Sequence, residues 1–224
     1  MFAVIFEVQP KPDRFDEYLE LAKFLKPELE KIEGFMDNER FSSKRTEGRL
    51  LSLSIWRDEK AVIRWRTLGV HHEVQQKGRS GVFADYHLRV GEIVADDGLA
   101  AGQSLQQLRL DETEIGEAKV ATISELTPDR GEKPVSADLA ADLGLPKHIA
   151  DGIIDQEAFE SIYNPGKQLL LVSWRDAAAA AGWKPSTVAG GKLRHRQVRV
   201  IRDYGMSDRR EAPQYYPPIE VPGP

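Results

Sequence analysis

The sequence predicts an α+β protein made of two ferredoxin-like βαββαβ repeats, and three observations predict it. First, residues 34–65 recur without a gap at 152–183, so that Gly34, Phe41, Gly48, Trp56, Arg57, Asp58 and Trp65 return as Gly152, Phe159, Gly166, Trp174, Arg175, Asp176 and Trp183, each 118 positions on. Self-similarity at a fixed offset is the mark of a duplicated unit. Second, the apolar periodicity of the first copy switches in the order strand, helix, strand, strand, helix, strand. Third, 224 residues suffice for two domains of about 100 residues each.

Each element has a local cause. Phe2 to Val8 is rich in β-branched and aromatic residues and stops at the Pro10 and Pro12 breakers. From an N-cap at Asp13, the residues Phe15, Leu19, Ala22, Leu25, Leu29 and Ile32 recur at helical spacing, with Pro27 as a kink and Gly34 as the end. Phe35 to Phe41 and Arg49 to Trp56 flank a turn at Gly48. Asp58 then caps a second helix carrying Ala61, Val62 and Trp65, which Gly69 interrupts before a short continuation to Lys77. A strand from Phe83 to Val94 closes the first copy.

The second copy has strands near Lys119 to Leu126, Gly152 to Ile162, Gln168 to Trp174 and Leu193 to Asp203, with a helix from about 136 to 149. After Trp183 the offset falls from 118 to 107, since Arg89 now matches Arg196 and Gly98 matches Gly205. The eleven missing residues correspond to the segment that holds His71, His72, Gln75 and Gln76. The expected division is a first repeat at 1–95, a linker at 96–117 with one helical turn near Leu105 and Leu108, a shortened repeat at 118–205, and an extended proline-rich arm at 206–224. Each sheet has one face covered by helices and one that needs burial, so the two sheets should face each other.

Composition excludes several classes. A net charge of −5 argues against a nucleic-acid surface, although arginines gather near the C-terminus. Without cysteine there is no disulfide framework, thiolate nucleophile or zinc–thiolate site. The apolar opening Met1 to Phe6 is too short for a signal or membrane segment, which makes a cytoplasmic address the expectation. Ser52 and Ser54 lack a nucleophile-elbow pattern, and Gly190-Gly191 before a strand is a turn, not a phosphate loop.

The opening strand FAVIFEV, the Gly34-Phe35 pair, the run LLSLSIWRDEKAV at 50–62, the His71-His72 segment and the closing FADYHLRVGEI resemble the antibiotic biosynthesis monooxygenase family of small dimeric α/β-barrel proteins. The resemblance covers residues 2–94 closely and 119–204 more loosely. Because members pair two chains, it implies an intrachain dimeric α/β-barrel, a pseudo-dimer, and leaves a further homodimer open.

It also implies a monooxygenase that needs no bound cofactor or metal and takes a small aromatic or quinol-type molecule together with molecular oxygen. Ring-oxidising members use an asparagine four residues before the strand-ending tryptophan, where this chain has Ser52. Haem-degrading members place a tryptophan where Trp65 stands and an iron-ligating histidine at the position of Gln75, with His72 one turn earlier. A haem protein is therefore the weaker alternative, beside a non-catalytic binding or self-assembling barrel.

Strand alternation divides Leu51, Leu53 and Ile55 from Ser52, Ser54 and Trp56. Assigning the leucine face to the helices would leave the serine face looking across the barrel. There two small hydroxyl side chains leave space, whereas Leu170 and Val172 fill it in the second copy. The candidate site is then Ser52, Ser54, Trp56, Trp65 and Tyr86 around the substrate, with His72 or His71 accepting its proton. The bland reading of both tryptophans is core packing, since Trp174 and Trp183 repeat them. That of the adjacent histidines is a surface position, since they point apart and cannot share a metal.

Overall fold

The computed structural model describes residues 1–129, 136–146 and 152–213. The first half runs β1 (Phe2–Pro10), α1 (Phe15–Glu30), β2 (Phe35–Ser43), β3 (Leu50–Trp56), α2 (Glu59–Thr67), α3 (Gly69–Lys77) and β4 (Phe83–Asp96). The second runs β5 (Val120–Pro128), α4 (Leu139–Asp142), β6 (Ile153–Ser161), β7 (Gln168–Trp174), α5 (Ala177–Ala181) and β8 (Gly191–Gly205). All eight strands close into one antiparallel barrel in the order β1-β3-β2-β6-β7-β5-β8-β4. Each half contributes four consecutive barrel positions in the ferredoxin-like order, so one chain forms the whole pseudo-dimer. The seams differ in length. At one, Phe41 to Ser43 meets Phe159 to Ser161; at the other, His87 to Asp96 runs along Arg196 to Gly205.

The repeated residues hold equivalent corners. Gly34 (φ 93°) accepts from the Arg57 amide at 2.8 Å, and Gly152 (φ 84°) accepts from the Arg175 amide at 2.9 Å. A Cβ on either would lie within 2.7 Å of Ala61 or 2.5 Å of Ala179, so glycine is required for both backbone sign and space. Asp58 and Asp176 each cap the following helix by accepting from the amides of Ala61 and Ala179. The duplicated Gly, Asp and Ala are thus architecture.

The leucine face, expected against the helices, instead fills the barrel. Ala3, Ile5, Leu51, Leu53 and Ile55 pack there against Ala121, Ile123, Leu169 and Leu171. An eight-stranded barrel has room inside for side chains and little else, so the serine face is the one that meets the helices. Alternation alone could not decide this, because both faces of each sheet are covered.

At each end of the barrel a buried ion cluster joins the halves. Arg49 bonds Glu7 at 2.6 Å and lies 3.7 Å from Glu157, while Lys167, at the matching position, bonds Glu125 at 2.6 Å and also Glu39. Arg89 on Glu7 and Arg196 on Glu125 complete the pseudo-twofold pair.

Other expectations shift for local reasons. A 3-10 turn at Pro12–Arg14 precedes α1, so Asp13 does not cap it. Pro27 lies within α1, which continues to Glu30. The helix expected over 136–149 is the single turn α4, with positions 147–149 outside the described residues. The linker has no helical turn at Leu105 or Leu108; instead the Leu108 amide is held by Glu92 at 2.6 Å. The chain beyond Gly205 folds back, Glu211 accepting from Thr113, Glu114 and the Asp203 amide, while 214–224 lie outside the described residues. Among the described residues no helix is long and apolar enough to cross a membrane.

Candidate functional site

The register across the first sheet builds the floor of a cavity from two rows of side chains. One row runs Arg40, Ser52, Phe6 and Leu88, and the next runs Asn38, Ser54, Val4 and Val90. Helices α1, α2 and α3 form the roof through residues such as Leu21, Leu25, Val62 and His71, enclosing a volume of about 1140 Å³. The cavity therefore lies outside the barrel, between sheet and helices, not inside it as the strand alternation suggested. Exposed Lys26, Gln76 and Arg79 mark its mouth.

Of the residues expected from sequence, Ser52, Ser54, Trp65, His71, His72 and Tyr86 line this cavity. Trp56 does not. It is 0% exposed and packs edge-on against Phe35 at 5.5 Å, one layer behind the wall. Its indole N–H donates to the Ser54 hydroxyl at 2.9 Å. Asn38 donates to the Ser52 hydroxyl at 3.0 Å. Each serine, having accepted, keeps its own hydrogen to donate. Tyr86 accepts from Arg209.

His71 stacks on Trp65 with ring centroids 3.9 Å apart, and its Nδ1 lies 2.9 Å from the Trp65 carbonyl. Burial pushes its imidazole down to about 4, outweighing that hydrogen bond, with the neighbouring charge of His72 acting in the same direction as burial. His71 is thus neutral at neutral pH. Because a carbonyl can only accept, Nδ1 carries the proton and Nε2 is left as the basic nitrogen.

Sequence reasoning missed Asn38, Arg40, Arg202 and Arg209, all of which line the cavity. On β2 the first two look like ordinary polar residues of an exposed strand. The available signal was the comparison of the halves, in which Asn38 and Arg40 become Gln156 and Ala158. Among the described residues the wall carries Lys26, Arg40, Arg66, Arg79, Arg202 and Arg209 against the single carboxylate of Glu59, which Arg109 holds at 2.6 Å. In a chain of net charge −5, that local excess of positive charge favours an anionic ligand.

The second half fills the equivalent space. Leu170 and Val172 replace the two serines and pack with Leu139, Leu143, Trp174 and Trp183 in one cluster. Trp183 stands where Trp65 does but rests on Trp174 at 5.9 Å. No counterpart of α3 exists among the described residues.

One compensating exchange explains Ser54. The Trp174 indole donates to Thr122 on β5 at 2.9 Å, whereas Trp56 uses Ser54 on β3. Thr122 pairs with Val172 just as Val4 pairs with Ser54, so each half places one hydroxyl and one valine beside its buried indole. Ser54→Val should strand the Trp56 N–H and cost about 1–3 kcal/mol in a denaturant melt. Adding Val4→Thr should recover most of that loss; no loss, or no recovery, would contradict the pairing.

The profile of the family described as antibiotic biosynthesis monooxygenase matches residues 1–77. Over 222 residues the chain is 42% identical to the jasmonate monooxygenase ABM of Pyricularia oryzae, covering 97% of this chain and 99% of that protein. Among solved structures, a conserved protein from Methanosarcina mazei Go1 matches 40% of this chain and 88% of its own at 21% identity and a TM-score of 0.37. An antibiotic biosynthesis monooxygenase matches 42% of this chain and 100% of its own at 17% identity and a TM-score of 0.39.

Proposed function

This chain belongs to the antibiotic biosynthesis monooxygenase family, and from that membership we propose that it oxygenates a small, largely apolar carboxylic acid bound in the cavity of its first half. The observation that carries the reading is the asymmetry of the duplication: one half has an apolar, cation-rich cavity of about 1140 Å³, whereas among the described residues of the other half Leu170 and Val172 pack into an apolar cluster at the matching place. A concave apolar site with a few convergent polar groups is the usual form of a small-molecule site. The Pyricularia oryzae relative is named for jasmonate. Jasmonate is a cyclopentanone with an apolar side chain and one carboxylate, which is the combination that these walls suit.

In this reading Ser52 and Ser54 donate to a substrate oxygen, and Trp65 and Tyr86 shape the space around the reacting carbon. His71 takes up a proton through Nε2, with His72 on the same wall. Insertion of one oxygen atom from O₂ releases the other as water and consumes two electrons and two protons. A CH₂ group next to a carbonyl supplies these itself: loss of a proton gives a carbanion, its electrons reduce O₂ to a bound hydroperoxide, and loss of water leaves a new carbonyl. A carbon activated through a phenol or anthrone ring can do the same, whereas an unactivated carbon needs an external reductant. A phenol or quinol is the second reading, favoured by the aromatic rings of Trp65, Phe83 and Tyr86 on the cavity wall.

The test is incubation of the purified chain with jasmonic acid, or with an anthrone, under ¹⁸O₂, with and without reduced nicotinamide. The expected product carries one labelled oxygen atom. Absence of any labelled product from either substrate would leave a binding protein, not an oxygenase.

A further inference from the structure

We propose that Arg40, with Tyr18 beside it, is the anchor that grips the carboxylate of an apolar acid in the first-half cavity. The inference rests on the reading of that cavity as the substrate site, and it names the group that selects the ligand. Arg40 is only 9% exposed, yet it lines the cavity. Its Nε is buried with no hydrogen-bond partner. Tyr18 lines the same wall, and the Arg40 charge opposes the rise that burial gives its hydroxyl pKa.

The Nε of Arg89 is likewise without a partner, so what separates Arg40 from the other buried arginines among the described residues is the lack of a carboxylate. Arg89 holds Glu7, and Arg196 holds both Glu125 and Asp96. Among the described residues no carboxylate lies within 4.0 Å of Arg40. A buried cation without a counter-ion is costly, and the fold does not require this one. The matching position in β6 is Ala158, half-buried against the apolar cluster of the second half.

The geometry suits a carboxylate in particular. A planar guanidinium fork matches two carboxylate oxygens, and Arg40 faces Ser52 across the β2–β3 pair, where the serine hydroxyl can donate as well. Leu21, Leu25 and Leu88 supply apolar wall for the rest of the molecule. The rim cations Lys26 and Arg79 are solvated and screened. They steer an anion toward the mouth, whereas Arg40 retains it.

The experiment is calorimetric titration of the full chain with two pairs of probes, jasmonic acid with its methyl ester and octanoate with octanol. Wild type, Arg40→Met and Tyr18→Phe are compared, with a thermal melt for each. Arg40→Met should weaken acid binding by about thirtyfold or more while leaving ester and alcohol binding within about twofold. Tyr18→Phe, which keeps the charge, should weaken acid binding several-fold and serves as the second variant if Arg40→Met melts early. Equal loss for acids and neutral probes, or acid binding unchanged in Arg40→Met, would overturn the anchor while leaving the cavity as the site. Arg40-dependent binding of octanoate without jasmonic acid would keep the anchor and remove the jasmonate-type substrate. Failure of wild type to bind either acid would overturn the anchor outright.

Discussion

Ser52→Leu should lower turnover by about 100-fold, the scale set by a misplacement of about 1 Å in a bound substrate, while leaving stability almost unchanged. The leucine is the residue that the second half uses at the matching position 170. In the first half it would project from the cavity floor beside Asn38, remove the hydroxyl that Asn38 holds at 3.0 Å, and occupy the space where the substrate lies. Because it grows into a cavity of about 1140 Å³, the usual overpacking cost of about 1–3 kcal/mol does not arise. The mirror change, Leu170→Ser, should behave in the opposite way. Leu170 is 1% exposed within the cluster around Trp174 and Trp183, so a serine there leaves both a void and an unpaired hydroxyl and should cost about 2–5 kcal/mol. Turnover per folded molecule should not change. Steady-state kinetics and denaturant melts on the two variants separate the cases, and equal kinetic losses would show that both halves carry sites.

Lys167→Met should destabilise the chain by about 3–5 kcal/mol, the range for breaking a buried ion pair on one side. Its ammonium is held between Glu39 of the first half and Glu125 of the second. Glu39 also accepts from Ser161 and from Asn164 at 2.6 Å, so it is committed to the ionised form. Without the lysine, two buried carboxylates face each other across the junction of the halves. Lys167→Arg should be nearly neutral, because Arg49 fills the same role at the pseudo-symmetric end. Acid attacks the same cluster. Burial would raise the Glu39 carboxyl, but the hydrogen bonds from Lys167, Ser161 and Asn164 hold it below its ordinary value of 4.5. Its stabilisation is therefore fully present above that value and is lost as pH falls through the lower folded value. Lys167→Met should accordingly lose much of this acid-dependent stabilisation as well as its stability at neutral pH. An unchanged urea midpoint would show that the halves do not depend on the cluster.

The duplication made the fold readable. Gly34, Asp58, Ala61 and Trp56 recur because the same corner is built twice, and a residue that recurs with its neighbours reports architecture. The eleven-residue difference after Trp183 likewise pointed to the half that retains α3, and so to His71. What the strands could not reveal was which face met which layer. Leu51 and Ser52 alternate as expected, but apolar side chains suit a barrel interior and a helix interface equally well, so alternation alone does not show on which side of the sheet the cavity lies. Arg40 and Asn38 were illegible for a related reason: polar residues on β2 look solvated until the helices are seen to cover them. A tryptophan at a strand end, such as Trp56, is compatible with a pocket wall, but its repetition as Trp174 favours the core position that it occupies.

We propose a single site, in the first half, outside the barrel and under α1 to α3. A crystal structure of the chain soaked with jasmonic acid tests it directly. Density for the acid is expected between Ser52 and His71, with its carboxylate toward Arg40 and no ligand beside Leu170. Density inside the barrel, or beside Leu170 and Trp183 in the second half, would contradict it.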